Sequence, residues 1–201
     1  MPTNPTERRR QILNTALASF SAAGYHDTSM NDIAESLSIT KPVVYQFFDS
    51  KRALYLEVLQ FVGNDLVSTV TDAVLGSDNP YTQTEAGMVS YFTWVAENKS
   101  SFALLYESSA RVDAEFADIT SEFQYSAAQA IAPLISANIS ADDQVTFAIG
   151  LLGMAETVSR QVLRQGRDFD PQSLGRTLAS FAWGGLRSVG EPNNQWISLR
   201  E

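Results

Sequence analysis

The chain has 201 residues, 44% hydrophobic and 18% charged, so it is long enough to bury a sizeable core and too apolar for a disordered segment. It has no cysteine, which excludes disulfides, thiolate metal sites and cysteine nucleophiles and suits a reducing cytoplasm. The net charge of −9 argues at first against a nucleic-acid partner, but residues 1–60 carry six basic and six acidic residues while the rest carries eight basic and 17 acidic. A neutral head with clustered cations can approach phosphate, and an acidic remainder favours one docking orientation. No apolar run reaches the roughly 20 residues that cross a membrane. The opening "MPTNPTERRRQIL" has a basic cluster with no apolar stretch behind it, so no secretory signal is expected.

In chain order the dominant period is helical. Ile12, Leu13, Ala16, Leu17 and Phe20 form a first stripe, with a stop at Ala23-Gly24. Met30, Ile33, Ala34 and Leu37 form a second, and Ser29 with Asp32 has capping-box spacing. "SLSIT" is a break. Thr40 is expected to cap a third helix with Pro42 in its first turn, and Ser50 a fourth running from Lys51 to about residue 75. "GSDNP" at 76–80 is a turn, and a further break is expected from Asn98 to Ser101. A helix is expected over 113–137, kinked or ended by Pro133. Ser140 and Asp143 form a second capping box, "GRDFDP" separates final helices over 141–165 and 171–189, and the tail is irregular. No strand alternation or internal repeat is visible. The expected fold is all-α with about nine helices. A three-helix head occupies residues 1–52, and a ligand-binding and dimerisation bundle occupies 53–201. A head of that size needs helix four as an anchor.

The stretch from Thr28 to Lys51 reads helix, short turn, helix, the arrangement that sends its second helix into the major groove. Val44 and Phe48, four apart, can face Ile33, Leu37 and Leu17. That leaves Lys41, Pro42, Val43, Tyr45, Gln46 and Phe47 on other faces. Lys41 suits phosphate or a guanine edge, Gln46 the paired bonds of adenine, and Pro42 and Val43 a thymine methyl. Tyr45 can donate to phosphate, and Lys51, the Thr28 and Ser29 hydroxyls and the exposed N–H groups at the helix starts can add backbone contacts. The same pattern also suits a buried helical hairpin with Tyr45 and Phe47 as core aromatics.

From Arg9 to Leu59 the chain resembles the tetracycline-repressor (TetR) family of bacterial transcription regulators. The resemblance rests on Ile12-Leu13, Ala16, Phe20, Gly24-Tyr25, Thr28-Ser29, Asp32-Ile33-Ala34, Ile39-Thr40-Lys41, Tyr45, Phe48, Ser50-Lys51 and Leu54. Two positions depart from it. Ser38 stands where a turn glycine is usual, and Phe47 where a histidine or tyrosine is common, which weakens a phosphate contact there. The run Arg8-Arg9-Arg10 fits an N-terminal arm reaching phosphate or the minor groove, or a solvated helix start.

The resemblance implies a C-terminal half that dimerises and often holds a small effector. The last two helices are rich in Ala148, Gly150, Gly153 and Ala155, then Ala179, Ala182, Gly184 and Gly185. Each mid-helix glycine costs roughly 1 kcal/mol, which points to a packing need. Apolar stripes run alongside, through Val145, Ile149, Leu152 and Leu163 and through Leu174, Leu178, Phe181, Trp183 and Leu186. Two such helices per chain suit a four-helix homodimer interface about a two-fold axis, and close packing inside one chain is the alternative. A dimer implies a near-palindromic double-stranded DNA operator.

The middle helices carry Met88, Tyr91, Trp94, Tyr106 and Phe123, with Met154 from a later helix. These are the expected lining of an effector pocket, with Arg111, Glu156 and Arg160 as polar anchors. An aromatic stripe at helical spacing is also what an ordinary core looks like. The effector class implied is hydrophobic or amphipathic, such as an acyl chain or aromatic compound.

A lone His26 supports neither a triad nor a metal cluster, and no nucleotide-binding glycine motif precedes a helix. Asp142-Asp143 and Asp168-Asp170 lie at helix starts, where carboxylates complement the dipole. No catalytic residue, metal, cofactor or membrane contact is expected. The leading expectation is a cytoplasmic, ligand-responsive repressor. The alternatives are a regulator of the same fold controlled by a protein partner or by nothing, and a small-molecule-binding or enzymatic helical bundle with a non-functional head.

Overall fold

The computed structural model describes residues 4–108, 114–135, 139–166 and 168–189. Among them it contains nine α-helices and no strand, the all-α fold expected. These are α1 Pro5–Asp27, α2 Met30–Ser36, α3 Lys41–Tyr45, α4 Lys51–Leu75, α5 Pro80–Glu97, α6 Lys99–Ala103, α7 Ala114–Ile131, α8 Ala141–Arg164 and α9 Pro171–Val189. A π-helical turn, Leu104–Ser108, follows α6, and a 3₁₀ turn, Ala132–Leu134, follows α7.

Side-chain caps start several helices, and those expected at Ser29 and Ser50 form. Asn4 Oδ1 accepts the Thr6 N–H at 3.2 Å. Ser29 Oγ accepts the Asp32 N–H at 3.2 Å while Asp32 Oδ2 accepts the Ser29 N–H at 2.8 Å, a complete capping box. The bond from the Ser29 N–H, with a smaller contribution from the Ser29 side chain, holds the Asp32 carboxyl below its usual range. Ser50 Oγ accepts the Ala53 N–H at 3.0 Å, and Asn79 Oδ1 accepts the Tyr81 and Thr82 N–H groups at 3.1 and 3.0 Å. At α8 only half of the expected box forms. Ser140 Oγ accepts the Asp143 N–H at 3.1 Å but gives its own proton to Asp143 Oδ2 at 2.7 Å, so the carboxylate leaves the Ser140 backbone alone.

The breaks differ in detail. Gly24 has φ 81°, ψ 171°, so the expected stop is a kink inside α1, which resumes to Asp27. The break expected from Asn98 to Ser101 narrows to Asn98, because α6 already begins at Lys99. The helix expected over 113–137 ends at Ile131, two residues before Pro133, whose missing N–H fits the short 3₁₀ turn. Residues 136–138 and the tail beyond 189 lie outside the described residues.

Contacts divide the chain into two compact units, Met1–Leu66 with Asn98–Phe123 and Val67–Glu97 with Gln124–Glu201. This grouping does not follow the cut expected at residue 52, because α6 and the π turn pack on α1. The first unit's core holds Ile12, Ala16, Phe20, Ile33, Val44, Leu54, Tyr55, Val58, Phe102 and Leu104, all fully buried or nearly so. In the second unit, α5 packs along α9 and also meets α8, and Ala128, Ala132 and Ala148 form a small apolar cluster.

The α5–α9 approach is close enough to need glycine. A Cβ on Gly175 would lie 2.6 Å from Val89 Cα and 2.9 Å from Val89 N, and backbone atoms cannot swing aside. Gly175→Ala should therefore destabilise the chain by about 1–3 kcal/mol, read as a lower midpoint in thermal or urea unfolding.

Candidate nucleic-acid interface

The turn before α3 is built by hydrogen bonding. The Leu37 N–H donates to Ala34 O, the Ser38 N–H to Glu35 O at 2.9 Å, and the Ile39 N–H back to Ala34 O at 3.0 Å. The last two bonds form a Schellman motif, whose left-handed residue is Ser38 at φ 54°. Glycine is the usual occupant of that conformation because Cβ crowds the following carbonyl.

Five residues cannot hold a helix alone, so α3 is fixed by what it buries. Val44 and Phe48 are buried as expected, and the Arg9 guanidinium lies 4.7 Å from the Phe48 ring centroid. Lys41, Pro42, Tyr45 and Gln46 are exposed, and Val43 and Phe47 are half-buried. Tyr45 is 43% exposed with Lys41 Nζ 5.9 Å from its ring centroid, which removes the hairpin reading with a core tyrosine. Thr40 occupies the N-cap position and is exposed, but its side chain makes no capping bond. Ser29 is exposed at the start of α2.

Three expected DNA contacts are placed differently. Thr28 is 2% exposed, and its hydroxyl donates inward to Gly24 O at 2.7 Å and Ser19 O at 3.2 Å. It closes the end of α1 and has no surface to offer phosphate. Lys51 Nζ donates to Tyr25 O at 2.8 Å, Thr28 O at 3.0 Å and His26 O at 3.3 Å, so its three protons are engaged within the chain, where a phosphate contact was expected. The arginine run is helical from Pro5 onward and is no extended arm. In it Arg9 donates to Glu57 of α4 at 2.6 Å, Arg10 to Glu7 at 2.9 Å and Arg8 to Gln11 at 3.1 Å.

Beneath the α1–α2 corner, Phe20 meets Tyr55 edge-on at 5.0 Å and Tyr25 lies 4.8 Å from Tyr55. Burial, with a smaller push from Tyr25, raises the Tyr55 hydroxyl to about 12. The ring therefore stays neutral at any working pH and acts as core. Sequence spacing gave no sign of the parts played by Arg9 and Tyr25, because their partners are 48 and 26 residues away.

The expected effector residues are only partly gathered. Met88, Tyr91 and Trp94 are buried along α5 in the second unit, and Tyr106 is buried in the first. Met154 is half-buried on α8. Arg111 and the Phe123 side chain lie outside the described residues. Glu156 and Arg160 come together as an ion pair at 2.5 Å, and Gln124, which the sequence did not flag, donates to Glu156 at 2.5 Å. Burial pushes the Glu156 carboxyl up, while Arg160 and Gln124 pull it back. No group of residues suited to hold a metal ion is found among the described residues. Nor is any of their helices long and apolar enough to cross a membrane.

A helix-turn-helix whose second helix buries one edge and exposes lysine, tyrosine and glutamine on the other defines a DNA-binding transcription regulator. Residues 12–58 match the family model of bacterial regulatory proteins, tetR family, and residues 80–185 match a tetracyclin repressor-like C-terminal domain. The chain belongs to the TetR family. It is 31% identical over 185 residues to the HTH-type transcriptional activator FasR of Mycolicibacterium smegmatis, covering 91% of this chain and 84% of the relative. A TetR-like regulator from Rhodococcus sp. RHA1 superposes with a TM-score of 0.69 at 27% identity, over 92% of this chain and 98% of the other. FadR from Bacillus subtilis, in complex with stearoyl-CoA, shares the fold with a TM-score of 0.73 at 11% identity, over 88% and 98%.

Ser38→Gly should relieve the left-handed strain of the recognition turn and stabilise the head by about 1 kcal/mol. A higher unfolding midpoint would register it, and an unchanged or lower one would mean the turn carries no such strain.

Proposed function

We propose that the chain is a cytoplasmic, ligand-responsive regulator that binds a near-palindromic operator as a homodimer and is released by a hydrophobic or amphipathic effector. The exposed edge of α3 carries this reading. Lys41 is assigned to phosphate or guanine, Gln46 to adenine, Pro42 and Val43 to a thymine methyl, and Tyr45, Thr40 and Ser29 to phosphate. Phe47 packs on the sugar backbone, while Thr28 and Lys51 act from within the head. Exposure of Lys41, Tyr45 and Gln46 argues against an enzymatic bundle with a non-functional head.

The dimer assignment rests on a division among the small residues. Ala148, Ala155, Ala179 and Ala182 are buried, whereas Gly150, Gly153, Gly184 and Gly185 are exposed, and a Cβ on any of these glycines would meet nothing within 4 Å. Packing within the chain therefore does not require them. Beside them Ile149 is 48% and Phe181 74% exposed. Two helices offering backbone and large apolar groups together suit a second copy packing closely across a two-fold axis.

Stearoyl-CoA bound to FadR supports an acyl-CoA as the effector class. Met88, Tyr91, Trp94 and Met154 would take its chain, and Glu156 and Arg160 its polar end. Helix α4, continuous from Lys51 to Leu75, is the proposed carrier of the response, and an effector shifts the balance only as far as it prefers one state. Repression was the expectation from sequence, yet the relative FasR is named an activator. Release from DNA serves either sign, which depends on where the operator lies relative to the polymerase.

Anisotropy of a labelled duplex, enriched by the protein from a random pool, tests the DNA reading. Lys41→Ala should lower the salt slope by about 0.9 for each phosphate that is no longer neutralised. Gln46→Ala should relax preference at one base pair by about 1–3 kcal/mol. A long-chain acyl-CoA added to the same mixture should release the duplex, and no release would favour control by a protein partner.

Gly184→Leu, at an exposed position where a Cβ meets nothing within 4 Å, should leave the helical content intact and turn the dimer into a monomer in sedimentation. A dimer that persists would place the interface elsewhere.

A further inference from the structure

Lys51 begins α4 but directs its charge to the corner between α1 and α2. Its Nζ has three acceptors, the carbonyls of Tyr25, His26 and Thr28 at 2.8, 3.3 and 3.0 Å, and lies 4.5 Å from the Tyr25 ring centroid. The last carbonyls of a helix have no partner within it, and a cation there complements the dipole. Gly24 makes this end unusual, because its non-helical backbone turns the last residues of α1 away from the preceding axis.

What the corner holds leads directly to the recognition helix. The Thr28 hydroxyl donates to Ser19 O and Gly24 O, fixing the corner from the α1 side. Ser29, the next residue, caps α2, and α2 ends in the Schellman turn that launches α3. A shift of the corner relative to α4 therefore moves α2 and, through the turn, α3. Lys51 bonds that corner directly to α4.

We propose that Lys51 is a positioning residue for DNA binding: it raises affinity by locking the α1–α2 corner onto α4, and does not itself neutralise a phosphate. The proposal rests on the reading of α3 as the DNA-contacting helix. A phosphate contact and a positioning contact both lower affinity when removed, but only the phosphate contact releases a counterion. They also differ in what replaces them. Arginine serves phosphate as well as lysine does, whereas its flat fork, on a longer stem, does not fit three carbonyls arranged around one nitrogen.

The test uses the full-length protein and a labelled duplex that it enriches from a random pool, with affinity measured across a KCl series. Lys51→Met keeps the stem and removes the ammonium. It should weaken binding roughly tenfold at every salt concentration with the wild-type slope, and Lys51→Arg should not restore affinity. Lys41→Met, the comparison, should lower the slope by about 0.9 per phosphate. A slope that falls by about 0.9 in Lys51→Met, with recovery in Lys51→Arg, would overturn the proposal. Unchanged affinity in a folded Lys51→Met protein would also overturn it, leaving Lys51 a matter of stability alone. Should circular dichroism show Lys51→Met unfolded, Lys51→Arg decides: weakened binding at the wild-type slope supports the proposal, and wild-type affinity overturns it. If wild type enriches no duplex, both this proposal and the reading of α3 fall; if wild type binds and only the Lys51 outcomes fail, the reading stands.

Discussion

A recognition helix of five residues depends on burial of one edge. Isolated helices this short are unstable, since the first turn costs more order than its hydrogen bonds return. Val44 and Phe48 supply what the backbone cannot, by filling the first unit's core. Arg9 then covers the Phe48 ring while it pairs with Glu57, so one guanidinium touches the end of the recognition segment and binds α1 to α4. The exposed edge gets its geometry from that buried one. Lys41, Tyr45 and Gln46 are presented together because Val44 and Phe48 leave them no other direction.

Local rules made most of this region legible in the sequence. Caps are short-range, so Ser29, Asp32 and Ser50 could be read from spacing alone, as could the helical stripe that buries Ile12, Ala16 and Phe20. The departure at Ser38 was legible for the same reason, because a left-handed residue after a helix normally has no Cβ. Long side chains with distant partners were not legible. A lysine at a helix start reads as a solvent cation until the fold brings three carbonyls from the end of another helix to it. Thr28 is the inverse case. It is a polar residue beside a cap in sequence, but the kink at Gly24 turns two carbonyls onto its hydroxyl and takes it inside.

The second unit shows a different limit. Composition reveals that α8 and α9 are rich in small residues but not which way each points. The fold turns Ala148, Ala155, Ala179 and Ala182 inward and leaves Gly150, Gly153, Gly184 and Gly185 exposed. Alanine serves close packing within a unit at no cost in helix propensity, whereas an exposed mid-helix glycine carries that cost where an added Cβ would meet nothing within 4 Å. Gly175 marks the exception, since the α5–α9 approach leaves no space for a methyl group. Gln124 was invisible for a further reason. Its carboxylate partner, Glu156, lies 32 residues away on another helix, and an amide on an amphipathic helix announces nothing about what it will meet.

Charge gives the head its character as a reader of DNA. Of the six basic residues in the first 60, Arg9 and Arg10 face carboxylates, Arg8 bonds Gln11 and Lys51 is bonded to carbonyls. Lys41 is the cation that α3 itself carries to its exposed edge. Counterion release per head is then modest, and affinity has to come from fit: hydroxyls, an amide and apolar contacts held in register. In the proposed dimer two such heads act as a linked pair, and the second contributes only if the spacing is right. Binding that depends on geometry more than on bulk charge is easily switched. A small change in the separation of the heads forfeits one half-site entirely, so an effector with modest preference for one arrangement can clear the operator.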